Sequence, residues 1–250
     1  MNIAYLYQDQ YPWDVRAEKF LSSLKDLGHV VHIVSRNRDN LPIFQKYDDN
    51  IFIHRIHSCS NNAIRNLLNF PAFFSPFWIY KTNFVINMHQ INLLIVRDLP
   101  LGFLGIFIGK INNIPVIIDM AENYPALIAS TWEFRGPKFI DLIIRNPHML
   151  AIMEKIVCRY ADQIIAVSEF NAERLREMGC RRSISIVGNT PIINQKRIKQ
   201  TSLPIQISNS SYRMIYTGMI EAHRGLQTAI RAAAEISRYI PDFQFIIVGK

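Results

Sequence analysis

Short, almost uninterrupted apolar segments alternate with helix-length segments along most of the chain. Residues 93–96 and 116–118 contain no polar side chain, and strands of this kind lie in sheets that helices cover on both faces. Residues 15–27 carry apolar side chains at helical spacing and are followed by Gly28, a frequent helix terminator. Strands that alternate with helices in this way predict a parallel, doubly wound α/β sheet.

The alternation runs to about residue 190 and then restarts after a polar, basic stretch. In the first part, strands are predicted at 2–7, 29–35, 51–56, 92–97, 115–119, 163–168 and 184–188. After the break, the pattern predicts strand 213–217, helix 225–239 and strand 243–248. We therefore expect two Rossmann-like domains: an N-terminal domain at 1–190, a linker at 191–211 and the start of a second domain at 212–250, incomplete after its second strand. Such domains bind ligands at the ends of their strands, between the two.

Composition excludes several classes of protein. Hydrophobic residues make up 49% of the chain and charged residues 19%, which is enough for a large core and argues against disorder. The net charge of +8 is spread along the chain, and no nucleic-acid-binding motif is visible. Nucleic acid is therefore not an expected partner, whereas an anionic membrane surface or a phosphate-bearing ligand is.

The sequence also constrains location. Three scattered cysteines fit neither a disulfide framework nor a zinc site and favour a reducing compartment. The chain enters a strand at once, without a signal-type segment. No window reaches the roughly 20 apolar residues that span a bilayer. We expect a cytoplasmic protein, with the inner face of the cytoplasmic membrane as its alternative place of action.

The segment from residue 213 to 226 has the order of a phosphate-binding loop. A strand leads to Gly218, and Arg224 and Gly225 open the next helix. Backbone N–H groups, a helix N-terminus and a cation then surround one point, as a diphosphate requires. The alternative is a tight turn with an ordinary solvated arginine.

A series of segments along the whole chain resembles, in the same order, the motifs of a large family of retaining glycosyltransferases. This is family four, which has the two-domain GT-B architecture. The segments are PWDVRAEK (12–19), GHVV (28–31), VRDLPLG (96–102), IIDMAENYP (117–125), AVSE (166–169), GNTP (188–191) and YTG…RGL (216–226). The resemblance implies a hexosyltransferase of polysaccharide biosynthesis. It would move a sugar from a nucleotide diphosphate sugar to a hydroxyl of a glycan or lipid-linked acceptor, with retention and without a metal or other cofactor.

The resemblance assigns donor-phosphate binding to Gly218, Arg224 and Gly225. Arg224 is the one cation visible there, because Met219 stands where many relatives have a basic residue. The acidic pair that holds the donor sugar in relatives would lie beyond Lys250. This fragment alone is therefore expected to be inactive.

Asp119 and Glu122 are the catalytic candidates. Relatives carry a histidine in this region, and either carboxylate could orient or deprotonate the acceptor hydroxyl in its place. Their spacing does not support the paired carboxylates of a glycosidase. The alternative is that each carboxylate caps a loop at a strand end.

Four further residues are candidates for the acceptor side. Asp14 and Arg16 follow the first strand, and the alternative for them is to cap and flank the first helix. Asp98 follows a buried strand, and its alternative is to cap the helix after Pro100. Asn189 belongs to the family-like segment at 188–191.

An aromatic segment at 69–80 holds six rings and two prolines. One interpretation is that these rings pack in the core or at a domain boundary. The other is that they insert into a membrane surface. The resemblance favours the second reading, since relatives that use lipid-linked acceptors attach to membranes in a similar way.

Two other features point to no site. Residues 102–110 contain glycines and end in Lys110, but the spacing is wrong for a nucleoside-triphosphate loop and the apolar content predicts a buried helix. The histidines are scattered and form no metal-site motif, and His54 and His57 are expected on the surface. The alternatives to an enzyme are a non-catalytic module that binds acceptor, lipid or a partner, and a basic surface-binding protein on a Rossmann-like scaffold.

Overall fold

The structure is a computed structural model that describes residues 1–12, 14–56, 75–137, 139–190, 212–221 and 224–249. These residues form two compact units. Unit 1 comprises Met1–Ala129 and Pro137–Asn189, and unit 2 comprises Ser130–Gly136 and Thr190–Lys250. The predicted linker at 191–211 lies outside the described residues, so the domain boundaries remain a prediction.

Unit 1 is built on an eight-stranded sheet in the order β3-β4-β2-β1-β5-β6-β7-β8. Its strands are β1 (Asn2–Gln10), β2 (Val30–Arg36), β3 (Phe44–Asp48), β4 (Ile51–Arg55), β5 (Leu93–Arg97), β6 (Val116–Met120), β7 (Gln163–Ala166) and β8 (Ser183–Ile186). All neighbours pair in parallel except β3, which runs antiparallel to β4. The predicted parallel, doubly wound sheet is confirmed, and β3 is an addition that the sequence did not predict.

Helices connect these strands. In the described residues they are α1 (Val15–Asp26), α2 (Pro76–His89), α3 (Leu99–Asn112), α4 (Tyr124–Arg135), α5 (Phe139–Ile144), α6 (Pro147–Tyr160) and α7 (Glu169–Glu177). None is long and apolar enough to cross a lipid bilayer.

The core lies on both faces of the sheet. Alternate residues of β1 point to opposite sides. Ile3 and Tyr5 join the cluster that contains α1, whereas Ala4 and Leu6 join the larger cluster that contains α2, α3 and α6. Burial on both faces explains why the strands read as continuous apolar segments.

Glycines let α3 approach the sheet closely. A Cβ atom on Gly105 would collide with the side chain of Val96, and one on Gly109 with Val116. Residues 102–110 are therefore part of a buried helix, as predicted, and the glycines serve packing rather than phosphate binding.

Gly28 is confirmed as a helix terminator, and one histidine prediction is wrong. Gly28 and Gly179 follow α1 and α7 with positive φ angles of 78° and 99°, and Ser168 caps α7 through Asn171 N. His54 was expected on the surface, but it is 2% exposed because it lies on the face of β4 that α2 covers, in contact with His89. His57 lies outside the described residues.

Unit 2 contains a single βαβ element in its described residues. Strand β9 (Arg213–Thr217) pairs in parallel with β10 (Gln244–Val248), and helix α8 (Leu226–Tyr239) connects them. These bounds agree within one residue with the strand, helix and strand predicted for this region.

Candidate active site

Charged side chains meet at one edge of the sheet of unit 1. Parallel strands carry their carboxyl ends at the same edge, and ligands bind there in open α/β sheets. Asp14 and Arg16 follow β1, Arg97 ends β5, Asp119 lies near the end of β6, and residues 187–189 follow β8. The topology thus places residues that are distant in sequence side by side.

Arg16 is the centre of this arrangement. Its Nη2 and Nε donate to Oδ1 and Oδ2 of Asp119 at 2.6 and 3.1 Å. Its Nη1 donates to the carbonyl oxygen of Val187 at 2.6 Å and to Oδ1 of Asn189 at 3.0 Å. The planar guanidinium suits this fork-like pairing, which an ammonium group could not reproduce.

Arg97 lies among three carboxylates. Its nitrogens approach Asp119 Oδ2 at 3.5 Å, Asp14 Oδ2 at 3.4 Å and Asp98 Oδ2 at 3.6 Å. Burial works to lower the pKa of Arg97, but the charges of Asp98 and Asp119 outweigh it and raise that pKa above its ordinary value. Arg97 is therefore a fixed positive charge.

Asp98 has an unusual backbone. Its φ of 64° and ψ of 168° are rare for a residue with a side chain, and such conformations concentrate at functional sites. Its N–H donates to the carbonyl oxygen of Asp119 at 2.9 Å. Its Oδ1 accepts from Ala121 N at 3.0 Å.

The electrostatic setting of Asp98 is also unusual. It occupies the N-cap position of α3, as the capping alternative expects, but its side chain makes no capping hydrogen bond to the helix. Burial raises the pKa of Asp98 to about 7, with Asp119 adding to the shift and Arg97 opposing it. This carboxyl group therefore changes charge near neutral pH.

Asp14 has two roles. Its Oδ1 accepts from Ala17 N at 2.7 Å and caps α1, which confirms the capping alternative. Its Oδ2 faces Arg97 and also accepts from the hydroxyl of Tyr7 at 3.4 Å. Burial, followed by the charge of Asp14, raises the pKa of Tyr7.

Glu122 differs from the other predicted residues because its side chain is exposed. Its negative charge helps to raise the pKa of Asp98 and of the nearby Tyr124, for both of which burial is the larger cause. Glu122 therefore lies at the border of the charged cluster and faces solvent.

The structure brings together five of the six residues predicted for catalysis and the acceptor side. Asp14, Arg16, Asp98, Asp119 and Asn189 form one network through direct contacts and through Arg97. Their roles in binding or catalysis remain predictions.

Sequence reasoning assigned no role to Arg97 or Tyr5. Arg97 was visible as a charged residue ending an apolar strand, beside Asp98. Tyr5 gave no such signal, because it is an ordinary core position of β1. Its hydroxyl is nevertheless buried without a hydrogen-bond partner among the described residues, and burial and the nearby Asp119 raise its pKa.

Unit 2 places the predicted donor-phosphate residues around the start of α8. Gly218 directly follows β9 with a φ of 154°, and Gly225 is the N-cap of α8 with a φ of 73°. No described side chain caps the first turn of α8, and Arg224 beside it is exposed. A helix start with uncapped N–H groups and a neighbouring cation has the properties of an anion site.

Residues 15–190 match the family model described as Glycosyltransferase Family 4. No curated protein sequence matches the chain.

Several solved structures are similar in fold. Sucrose-phosphate synthase from Thermosynechococcus elongatus has a TM-score of 0.72 at 15% identity, over 99% of this chain and 62% of that one. A trehalose-6-phosphate structure from E. coli, bound with UDP-2-fluoro glucose, has a TM-score of 0.60 at 12% identity, over 100% and 64%. UDP-GlcNAc 2-epimerase from Methanocaldococcus jannaschii has a TM-score of 0.54 at 14% identity, over 99% and 65%.

The chain thus spans less than two thirds of the length of these three structures. At such low identity the similarity establishes the GT-B type of fold, which accommodates more than one kind of reaction.

Proposed function

The chain belongs to Glycosyltransferase Family 4, and on that premise we propose that it takes part in transferring a sugar from a nucleotide diphosphate sugar to an acceptor hydroxyl. The transfer retains the configuration of the sugar, and the sugar is a hexose. The acceptor is a glycan or a lipid-linked precursor of polysaccharide biosynthesis. No metal or other cofactor takes part in this reaction.

The observation that carries the proposal on the acceptor side is the network around Arg16 and Asp119. Two buried arginines and three carboxylates at the carboxyl edge of the sheet form a preorganised polar surface in a protein of this family. Preorganised charges of this kind stabilise a transition state without having to reorient during the reaction.

The network also suggests a division of roles. Both carboxylate oxygens of Asp119 already accept from arginines, so this residue is suited to positioning Arg16 and Arg97. The side chain of Glu122 is exposed, so solvent and a ligand can reach its carboxylate. Of the two proposed catalytic residues, Glu122 is therefore better suited to orient an acceptor hydroxyl, and its charge acts on the titratable Asp98.

On the donor side, the start of α8 binds the diphosphate. The developing charge of the leaving group would meet the N–H groups of the first helical turn, the backbone at Gly218 and the guanidinium of Arg224. Exposure of Arg224 fits this role, because a ligand rather than the protein would neutralise its charge.

Nucleotide binding tests the donor site. UDP, GDP and ADP are titrated calorimetrically into the protein expressed from its complete reading frame, together with Arg224→Ala. We expect one nucleotide to bind in the micromolar range and the variant to lose about 2 kcal/mol of binding free energy, as for a charge-assisted hydrogen bond. Arg231→Ala is the matched control, since Arg231 is an exposed arginine within α8, seven residues after Arg224.

Two results would contradict the donor site. Absence of binding by a folded protein would favour a non-catalytic module that binds acceptor, lipid or a partner. Equal losses of binding free energy in Arg224→Ala and Arg231→Ala would mean that Arg224 acts only through general electrostatic attraction.

The acceptor would reach the protein at a membrane surface, on the inner face of the cytoplasmic membrane. Helices α2 and α3 contact each other, with Asn112 Nδ2 donating to Asn83 Oδ1 at 2.7 Å, and both expose apolar side chains. These are Tyr80, Phe84 and Met88 on α2 and Phe107 and Ile111 on α3. Lys110 beside them is exposed, whereas Lys81 is half-buried with its Nζ over the ring of Phe84. Exposed rings beside cations are the composition of surfaces that bind anionic lipid.

This surface refines the prediction for the aromatic segment. Trp78 is fully buried in the core, whereas Tyr80 is 74% exposed, so the described part of the segment serves both packing and the surface. Residues 69–74 lie outside the described residues.

Vesicle flotation tests the membrane surface. The protein should float with vesicles that contain anionic lipid more than with neutral ones, and Phe84→Ser with Met88→Ser should reduce the floating fraction. Tyr239→Ser is the control, because Tyr239 is 78% exposed on unit 2. Equal flotation of all three proteins would show that α2 does not form the contact.

A further inference from the structure

Three histidines that are distant in sequence lie together on unit 1. His32 is on β2, His54 on β4 and His89 at the end of α2. One ring nitrogen of each lies within 4.8 Å of the corresponding nitrogens of the other two. From this geometry we propose that His32, His54 and His89 form a binding site for a divalent transition-metal ion, with Zn²⁺ as the first candidate.

The fold determines this arrangement. His32 pairs with Phe52 in the parallel ladder between β2 and β4, so His54, two residues further along, points to the same face of the sheet. Helix α2 packs on that face, and its end is fixed by Asn2 Nδ2, which donates to the carbonyl oxygen of His89 at 2.7 Å. Two neighbouring strands and one helix end therefore hold the three rings.

The distances are close to those of a zinc site. Nδ1 of His32 and Nε2 of His54 are 3.1 Å apart and share a hydrogen bond, whose proton a metal ion would replace. With Zn–N bonds of about 2.0–2.1 Å, two ligands of a tetrahedral ion are about 3.3 Å apart. The first two histidines thus have nearly the separation of two zinc ligands.

His89 completes the site by turning its ring. It now stacks on His32 with the ring centroids 4.0 Å apart and the planes inclined by 23°, so the two lone pairs do not yet converge on one point. His89 is half-buried at a helix end. Rotation of its ring requires no change in the backbone that holds it.

The chemical state of the rings suits a metal. His32 and His54 are buried and His89 is half-buried, and removal from water favours the neutral imidazole over the charged form. Neutral imidazole is the form that coordinates a metal, and it suits Zn²⁺, Cu²⁺ and Ni²⁺.

Aromatic packing alone does not account for the cluster. His32 and His54 also contact Phe52 and Phe44, as core rings would. However, Nε2 of His89 is buried and has no hydrogen-bond partner among the described residues. A buried polar atom without a partner is costly, and a metal ligand bond would satisfy it.

The metal would have a structural effect. His32 pairs across from Ala4 and α2 ends next to Asn2, whereas His54 lies in register with Val34 of β2. Strands β1 and β5 separate β2 and β4 from β6, which carries Asp119. A bound ion would join α2 to β2 and β4, and three protein ligands would leave one position for water.

Metal binding to the isolated, tag-free and chelator-treated protein tests the site. Zn²⁺ is titrated calorimetrically, and Co²⁺ is added separately because its visible absorption reports coordination by nitrogen ligands. We expect one equivalent of metal to bind and the melting temperature to rise with Zn²⁺ concentration, because the ion binds the folded state. The readout is independent of any transferase activity.

Variants locate the metal. His89→Gln should weaken binding by about a hundredfold or more, since even loss of an outer-shell partner costs about 10–100-fold. His54→Gln should do the same if it folds, whereas His148→Gln, which changes an exposed histidine on α6, should bind as the unaltered protein does. Circular dichroism of the metal-free proteins confirms that His89→Gln is folded.

Two results would overturn the proposal. A folded protein that takes up no stoichiometric metal would leave the cluster as a stack of core rings. Alternatively, His89→Gln and His148→Gln could bind metal equally well, which would place the metal elsewhere on the chain.

Discussion

The guanidinium of Arg16 and the carboxylate of Asp119 form a two-point ion pair across 103 residues of sequence, and Asp119 is completely buried. The pair joins the first helix to the sixth strand. Arg16 also binds Val187 and Asn189, so one side chain connects three regions of unit 1 at the edge where the predicted residues gather.

Replacing Arg16 should destabilise the protein strongly. Arg16→Ala leaves the buried charge of Asp119 with Arg97 alone, at 3.5 Å. Removal of one partner from a buried ion pair costs about 3–5 kcal/mol, and we expect the lower end because Arg97 remains. Urea denaturation measures the change in the free energy of unfolding.

A surface ion pair provides the control for Arg16. Arg38 and Asp9 are 2.7 Å apart, but both side chains are about half exposed. Arg38→Ala should change the free energy of unfolding by less than about 1 kcal/mol. Similar losses in the two variants would mean that burial of the Arg16 pair has no energetic consequence.

Asp98 should make stability depend on pH in an unusual direction. Burial raises its pKa from 3.8 to about 7, so between these values the folded state holds a proton that the unfolded state has lost. The contribution of Asp98 to the free energy of unfolding is therefore fully present below pH 3.8 and is lost as the pH rises towards 7. Asp98→Asn removes this contribution and keeps an oxygen for Ala121 N.

The difference between the two proteins isolates the carboxyl group of Asp98. From pH 4.5 to 7.5, the free energy of unfolding should fall with pH more steeply for the unaltered protein than for Asp98→Asn. Other titrating groups contribute equally to both. Parallel curves in urea denaturation would show that Asp98 titrates at an ordinary pKa.

Gly105 should not tolerate a methyl group, although alanine favours helices. The added Cβ would overlap the side chain of Val96. Overpacking of a core costs about 1–3 kcal/mol, against a gain of about 1 kcal/mol in helix propensity. We expect net destabilisation in thermal or urea unfolding.

A compensating variant tests the cause of the Gly105 effect. Val96→Ala removes the methyl groups that the new Cβ would meet. The double variant should therefore be more stable than the sum of the two single changes predicts. Strict additivity would assign the loss at Gly105 to something other than contact with Val96.

Arg174 should be needed for stability because it neutralises the buried Glu154. Its two terminal nitrogens donate to both oxygens of Glu154 on α6, at 2.7 and 2.8 Å, and the Glu154 side chain is 2% exposed. Arg174→Ala should cost about 3 kcal/mol. Arg176→Ala, on the same helix but paired with the exposed Glu169, should cost less than about 1 kcal/mol in the same assay.

Much of the fold could be predicted because its signals are local. The strands of a sheet covered on both faces read as apolar segments, and Gly28 and Ser168 mark helix ends by their own chemistry. The network was predictable in part, because Asp14, Asp98 and Asp119 stand in family-like segments at strand ends. Parallel topology then brings those ends together.

The remaining features depend on contacts between distant residues. His32, His54 and His89 have no common spacing, and only the register of β2 on β4 and the end of α2 bring them together. Tyr5 reads as a core residue, and nothing in its neighbourhood in the sequence indicates that its buried hydroxyl lies within the electrostatic influence of Asp119. The position of a polar atom within a core is a property of packing, which the sequence pattern does not encode locally.

The strand β3 protects one edge of the sheet from pairing with another copy of the protein. An unpaired strand at the margin of a sheet can recruit another chain, and β4 would be such a strand if β3 were absent. β3 runs opposite to β4, breaks its pairing between Lys46 and Asp48, and bears two ion pairs, Lys46 with Asp49 and Asp48 with Lys25. An irregular, charged border of this kind protects the long parallel sheet from aggregation.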